Sequence, residues 1–301
     1  MEPGGRPGEE AIRVRGWFPA HRYLILRRVS QLAILGLFLA GPWLGIWIVK
    51  GNIASSLTLG VLPLSDPLVL LQVFASGHVP GTAALLGGLI VLVFYLVVGG
   101  RVYCSWVCPV NIVTDSAEWL RRRLNLKGSA HLSDKSRYWL LGAILLVAMV
   151  TGSVAWELVN PVSMVYRGLV FGMGMAWGVV VAVFLLDLFV GRRAWCGHLC
   201  PVGAFYGLLG EAAVVRVSAI RREHCDDCMD CFAVCPEHQV IRPALKGADK
   251  GVGPVIMSGH CTNCGRCIDV CGRDVFAFTT RFSNSSRQPV SGVNHKSEVS
   301  S

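Results

Sequence analysis

The sequence predicts an all-α polytopic membrane domain, four transmembrane helices in two duplicated hairpins, followed by a small α+β domain built on two cysteine runs. Three observations carry this expectation. Of 301 residues, 53% are hydrophobic and only 16% charged, with mean hydropathy +0.52, whereas soluble domains carry about 25% charged residues. Four apolar stretches approach the roughly 20 residues that cross a bilayer. All twelve cysteines fall in four tight groups.

In chain order, residues 1–22 are polar and rich in Gly and Pro and read as a flexible cytoplasmic N-terminus. The membrane domain is placed at 23–215, with spans at Val29–Val49, Thr82–Gly99, Tyr138–Trp156 and Leu169–Val190. Trp43, Trp47, Tyr138, Trp139 and Trp156 lie near span ends, where amphipathic rings favour the headgroup layer. A fifth apolar stretch, Ile53–Ser76, is broken by Pro63, Ser65, Asp66 and Pro67. Two prolines beside an aspartate leave backbone groups unsatisfied in lipid, so this stretch reads as an interfacial or re-entrant loop. Residues 115–136 read as a basic helical linker, and Pro243–Gly259 as a glycine-rich insertion.

Lysine and arginine set the orientation. Residues 1–28 hold six, loop 51–81 none, loop 101–137 seven, loop 157–168 one and the tail 191–301 thirteen. Basic segments stay inside, which puts both termini and every cysteine on the cytoplasmic side. The first apolar run is too long for a cleaved signal peptide and lacks a small-x-small site. The net charge of +9 is then topological, and no nucleic-acid partner is expected. No phosphate loop, nucleophile motif or dinucleotide fingerprint is present in a fitting context.

A reducing compartment disfavours structural disulfides, so the cysteines point to metal or redox chemistry. In "CDDCMDCFAVCP", Cys225, Cys228 and Cys231 are spaced by two residues and Cys235 follows three later. "CTNCGRCIDVCG" repeats this at Cys261, Cys264, Cys267 and Cys271. Short spacing wraps a loop round one cubane, and the fourth cysteine reaches the other cluster. Cluster one is therefore assigned Cys225, Cys228, Cys231 and Cys271, and cluster two Cys261, Cys264, Cys267 and Cys235. Structural zinc normally uses two separated pairs and fits less well. The pattern over Arg222–Thr280 resembles the bacterial two-cluster [4Fe-4S] ferredoxins, giving a ferredoxin domain at 216–282 and a disordered tail at 283–301. Gly272 departs from it, standing where that pattern has proline. His224 and His260, each just before a cluster's first cysteine, read as exposed loop residues.

The other four cysteines form a repeat. "GRVYCSWVCPV" and "GRRAWCGHLCPV" place Cys104, Cys108 and Pro109 against Cys196, Cys200 and Pro201, with Arg101 against Arg193, at a constant offset of 92. Each pair follows an even-numbered span, so the membrane part reads as a parallel duplication. If the hairpins pack about a pseudo-two-fold axis, the four sulfurs converge in a four-thiolate site that holds a further metal or cluster, or acts as two dithiols. His198, inside the second pair, is a candidate tuner.

Four spans, two Cys-x3-Cys-Pro motifs and a C-terminal two-cluster ferredoxin resemble the NapH family, the ferredoxin-type membrane components of the quinol dehydrogenase that supplies periplasmic nitrate reductase. The stretch Ser30–Gln72 is similar to that family in its own right, and the resemblance covers about Arg22–Phe282. It implies electron transfer from the quinol pool in a bacterial inner membrane, with a NapG-type periplasmic iron–sulfur protein and a multihaem cytochrome as partners besides lipid. The competing expectation is a polyferredoxin acting in redox maturation or regulation of a respiratory metalloenzyme. For quinol and proton chemistry the candidates are Asp66, Gln72 and His78 in loop 51–81, on the face opposite the cysteines, and Asp187 in the fourth span. An intramembrane carboxylate is a functional candidate by default, and Asp187 has Arg192 and Arg193 as expected partners. Glu157 and Asn160 are lesser candidates.

Overall fold

The computed structural model describes residues 7–126, 133, 135–172 and 174–283. Residues 1–6 of the expected N-terminal segment and 284–301 of the expected tail lie outside these. The N-terminal segment differs from expectation beyond residue 8. Helix α1 (Glu9–Arg15) lies on the cysteine-rich domain, with acidic residues in its first turn and basic ones in its last, as the helix dipole favours. The Gly8 N–H donates to Asp230 (2.8 Å), and Arg15 donates to Asp274 (2.8 Å) and to the carbonyls of Ile268 (3.0 Å) and Asp269 (2.7 Å).

Helix α2 (Arg22–Leu44) follows and ends where Gly45 turns left-handed. It starts earlier and stops sooner than the expected first span. Strands β1 (Val49–Gly51), β2 (Ser55–Thr58) and β3 (Leu62–Ser65) then form an antiparallel meander. Asn52 closes the first turn by accepting from the N–H groups of Ala54 and Ser55, 2.9 Å each. Leu59 and Gly60, both at positive φ, make the tight turn that matches hairpin twist. The half read as membrane-spanning is therefore not purely helical, a correction to the all-α expectation. The stretch 53–76 is two strands and a short helix, α3 (Pro67–Ala75), laid back against α4 (Thr82–Val98).

Residues Tyr103–Val107 form a π-helical turn, followed by α5 (Val110–Arg123). The second half repeats the scheme after α6 (Ser136–Thr151). It runs α7 (Pro161–Phe171), α8 (Gly174–Leu185), two further π-turns at Leu186–Val190 and Trp195–Leu199, and α9 (Pro201–Ala212). The repeat extends beyond the cysteines: α3 begins Asp66-Pro67 and α7 begins Asn160-Pro161, and each side-chain oxygen accepts the N–H two residues on, at 2.9 and 3.1 Å. A capping Asp or Asn before a first-turn Pro is a strong helix start. Among the described residues, one helical segment, Pro19–Leu44, is long and apolar enough to cross a membrane; Thr82–Val98, Ser136–Thr151 and Gly174–Val190 are apolar but shorter.

The cysteine-rich domain has strand β4 (Val215–Ser218) paired antiparallel to β5 (Ala277–Thr280). Between them lie α10 (Asp230–Val234), α11 (Ile241–Lys246) and α12 (Arg266–Val270). Val217, Val240, Ile241, Val270, Val275 and Phe276 form its core, with cysteines packed on it. A second core, in the half read as membrane-spanning, joins Leu68, Tyr95, Tyr103, Leu141, Val202 and Tyr206, with Cys104, Cys108 and Cys200 against it. The halves of the repeat meet closely. A Cβ on Gly100 would stand 1.9 Å from the Tyr206 carbonyl, so only glycine allows α9 to approach there.

Candidate iron–sulfur site

In the cysteine-rich domain the two runs fold alike. Asp227 and Met229 in the first, and Asn263 and Gly265 in the second, adopt positive φ. These paired left-handed residues curl each loop so that the next sulfur turns inward. Cys225, Cys228, Cys231 and Cys271 line one cavity. Cys235 is brought instead to Cys261, Cys264 and Cys267, and all four thiols interact electrostatically. The fourth cysteine of each run thus joins the other run's set. Cys231 and Cys264 are buried, whereas Cys228 is exposed. At Gly272, where proline would stand, a Cβ would lie 3.1 Å from the Glu10 side chain of α1, so a larger residue there would crowd the seated N-terminal helix.

The four remaining cysteines also converge. Cys108 interacts with Cys104 and Cys200, and Cys196 with Cys200 and Cys108. Cys104 and Cys196 share a cavity with Arg27, Arg101, Arg193 and Thr262. Burial raises every one of these thiols, that of Cys200 to about 12. Among the described residues, no three His, Cys, Asp or Glu side chains lie close enough to hold a single metal ion. That disfavours the single-metal version of the four-thiolate expectation. A cubane spreads its ligating sulfurs over four irons, and four cysteines are the donor set its thiolate chemistry calls for.

The two parts lock together at these sulfurs. Ser105 Oγ donates to the Thr262 carbonyl (2.8 Å) and the Trp106 indole N–H to the Asn263 carbonyl (3.1 Å), so the Cys261–Cys264 loop sits on the first Cys-x3-Cys turn. Glu237, two residues past Cys235, accepts from Arg101 (2.5 Å) and Arg137 (3.1 Å). Burial would raise its carboxyl, but the two guanidiniums outweigh this and hold it near 2. Arg101 also donates to the carbonyls of His260 (3.0 Å) and Cys196 (3.2 Å). Arg193, the repeat partner of Arg101, pairs instead with Asp115 and Glu118 of α5. Sequence reasoning missed Arg101, Arg137 and Glu237 as an interface. The repeated arginine was visible, but its partner 136 residues away carries no local signal.

Other expectations need correction. His260 is no exposed loop residue: it is half-buried and hydrogen-bonded to Arg137 at 3.0 Å. Asp187 does not pair with Arg192 or Arg193, both of which bond Glu118. It is fully buried and accepts the Trp195 N–H at 2.8 Å, while its Oδ2 has no hydrogen-bond partner. The π-turn at Leu186–Val190 turns the carboxylate back toward the second cysteine turn. Asp66 is not remote from the cysteines. It accepts from the Tyr206 hydroxyl at 3.2 Å, and Tyr206 lies six residues beyond Cys200. Burial raises its carboxyl to about 6. His78 is exposed, bonded to Ser76, and stands apart from this site. Gln72 is fully buried and donates to Leu68 within α3. Glu157 accepts from Asn160 (2.9 Å) and Ser163 (2.6 Å), so both lesser candidates serve the α7 cap.

Comparison with known proteins agrees with this arrangement. A family described as "4Fe-4S binding domain" matches twice, at residues 80–127 and 170–220, once per Cys-x3-Cys copy. A family described as "4Fe-4S dicluster domain" matches residues 224–275. The methylamine utilization ferredoxin-type protein MauN of Methylorubrum extorquens is 54% identical over 272 residues, 90% of this chain and 94% of its own. MauN of Paracoccus denitrificans is 57% identical over 89% of this chain and 93% of its own. The ferredoxin-type protein NapH of Escherichia coli is 49% identical over 93% of this chain and 97% of its own. No solved structure matches significantly. With about half its residues identical to these proteins over nine-tenths of its length, the chain belongs to the NapH/MauN family of ferredoxin-type electron-transfer proteins.

Proposed function

We propose that this chain is a membrane electron-transfer subunit that takes electrons from the quinol pool and passes them through cysteine-held [4Fe-4S] clusters towards a periplasmic reductase of the nitrate type. The observation that carries this reading is the convergence of twelve thiols in three adjoining sets of four, the membrane-half set in direct contact with the Cys261–Cys264 loop. Cys225, Cys228, Cys231 and Cys271 hold one cluster, Cys235, Cys261, Cys264 and Cys267 a second, and Cys104, Cys108, Cys196 and Cys200 a third. Bound there, each cluster supplies reversible one-electron storage. The chain's own part is to shelter the sulfurs, Cys228 excepted, to set Arg27, Arg101 and Arg193 beside Cys104 and Cys196, and to hold the sets against one another.

On this reading the chain crosses the membrane four times, and the outward faces of the apolar helices support it. Each apolar helix presents large side chains outward: Leu86 and Leu89 on α4, Trp139, Leu146 and Met149 on α6, Met175 and Val181 on α8. Outward apolar stripes of this extent suit lipid. The lysine and arginine pattern puts both termini and all cysteines inside. A NapG-type iron–sulfur protein and a multihaem cytochrome are the partners on this reading. Iron analysis tests it: about twelve iron per chain is expected for three cubanes, and reduction of the purified protein by a quinol analogue is expected to bleach its visible absorbance. About eight iron removes the third cluster, and absence of bleaching removes the quinol.

A second reading has its own support. The MauN proteins of Methylorubrum extorquens and Paracoccus denitrificans, named for methylamine utilization, share more identical residues with this chain than NapH of Escherichia coli does, so the final acceptor is a matter for the cellular system. On this reading the chain serves redox maturation of a metalloenzyme, and its deletion abolishes assembly of that enzyme while leaving nitrate reduction intact.

A further inference from the structure

A cavity of about 300 Å³ opens between α2, the β-meander and α4. Ile34 and Phe38 of α2, Ile53 and Leu64 of the meander, and Val91 of α4 make its walls apolar. Leu37, at its rim, is exposed on the outward face of α2, so the opening is on the side that meets lipid. The floor is different. Asp66, Tyr95, Tyr103 and Tyr206 meet there, with the Tyr103 and Tyr206 rings stacked at 4.9 Å and Tyr95 edge-on to Tyr206 at 5.0 Å. Tyr103 and Val107 line the same cavity and directly flank Cys104 and Cys108 in the chain. A lipid-open apolar slot, a phenol-lined floor and adjoining thiolate ligands suit a flat aromatic carrier that gives up hydrogen to a one-electron acceptor.

The duplication shows what the carboxylate is for. Asp66 and Asn160 occupy the same place in the two copies, each capping a helix that starts with proline. Asn160 does the capping without a charge, so a cap alone does not require the acid. Asp66 carries it half-buried beside three phenols, where an ionised group is costly. Its hydrogen bonds from the Leu68 N–H and the Tyr206 hydroxyl both fall on Oδ1, and among the described residues Oδ2 receives none. Oδ2 is thus the acceptor left for a ligand.

Resting on the reading that the chain draws on the quinol pool, we propose that this cavity seats the quinol head and that Asp66 is the catalytic base that receives its hydroxyl proton. Oxidation of one quinol to quinone breaks two O–H bonds, releasing two protons, taken in turn by Asp66 and handed to water, and two electrons, accepted singly by iron–sulfur centres of the class held at Cys104 and Cys108. The head would then be oxidised beside the thiols of Cys104 and Cys108, with no hop across roughly 30 Å of hydrocarbon between quinol and the first cluster.

The test uses the full-length protein with its clusters, in lipid nanodiscs, and a photoreactive azidoquinone. Adducts are expected on peptides containing Ile53–Asp66 and Val91–Val107, suppressed by excess unlabelled quinone. Asp66→Asn retains the cap, as Asn160 does. It is expected to keep the adducts and full reduction by dithionite while slowing single-turnover reduction by a quinol analogue about 100-fold, the lower range for a lost general base. Adducts confined to segments that do not line this cavity, or an Asp66→Asn protein reduced by quinol at the wild-type rate, would overturn this site while leaving quinol-driven reduction standing. A wild-type protein that quinol neither labels nor reduces would sink both this site and the function it serves.

Discussion

Single residues decide two properties. Glu237 neutralises Arg101 and Arg137, two guanidiniums that are 2% and 0% exposed. Removing one partner of a buried ion pair leaves the others uncompensated, at about 3–5 kcal/mol. Glu237→Ala is therefore expected to lower the midpoint of thermal cluster loss strongly, whereas Lys246→Ala, at an exposed pair with Asp227, should change it little. Asp66 sets a pH dependence. Tyr206, Tyr95, Tyr103 and, across the loop, Glu157 face it, and its folded value near 6 exceeds the roughly 3.9 of an unfolded aspartate. The folded protein binds this proton more tightly, so the group makes stability fall as pH rises from about 4 to 6. As a base it works only when ionised. Quinol-driven reduction should thus climb through pH about 6, and Asp66→Asn should flatten that limb in a stopped-flow pH series.

At the level of elements, the unexpected one is α1, which straps the ferredoxin domain through Gly8 and Arg15. Hydrogen bonds to a charged group contribute about 1.5–3 kcal/mol. Arg15→Ala should accordingly free α1, seen as faster amide exchange over residues 9–15 with little change in α2. The segment's Gly and Pro content hid this helix, because its stability comes from a docking surface far along the chain and not from its own propensity. The two Asx-Pro caps were hidden for another reason. In "SDPLVLL" and "VNPVSMV" the helix-start chemistry is plain once sought, but apolar runs draw attention to length before caps. Asn160→Ala is expected to cost about 1 kcal/mol.

Across the whole molecule, local spacing was the legible part. Cys225 through Cys235, its echo from Cys261, and the pairs at Cys104 and Cys196 show their grouping within a dozen residues each. What closes the three sets depends on contacts between distant segments: Ser105 on Thr262, Glu237 between Arg101 and Arg137, Asp66 beneath Tyr206. None of these has a periodicity, so the sequence left Asp66 apart from Tyr206 and put Asp187 beside the wrong partners. The three sets also differ in shelter, from Cys264 inside the fold to Cys228 at the surface. With a cluster seated in each set, as proposed, dissolved oxygen would reach the centre at Cys228 first, and a weathered molecule would lose that centre before the one around Cys264.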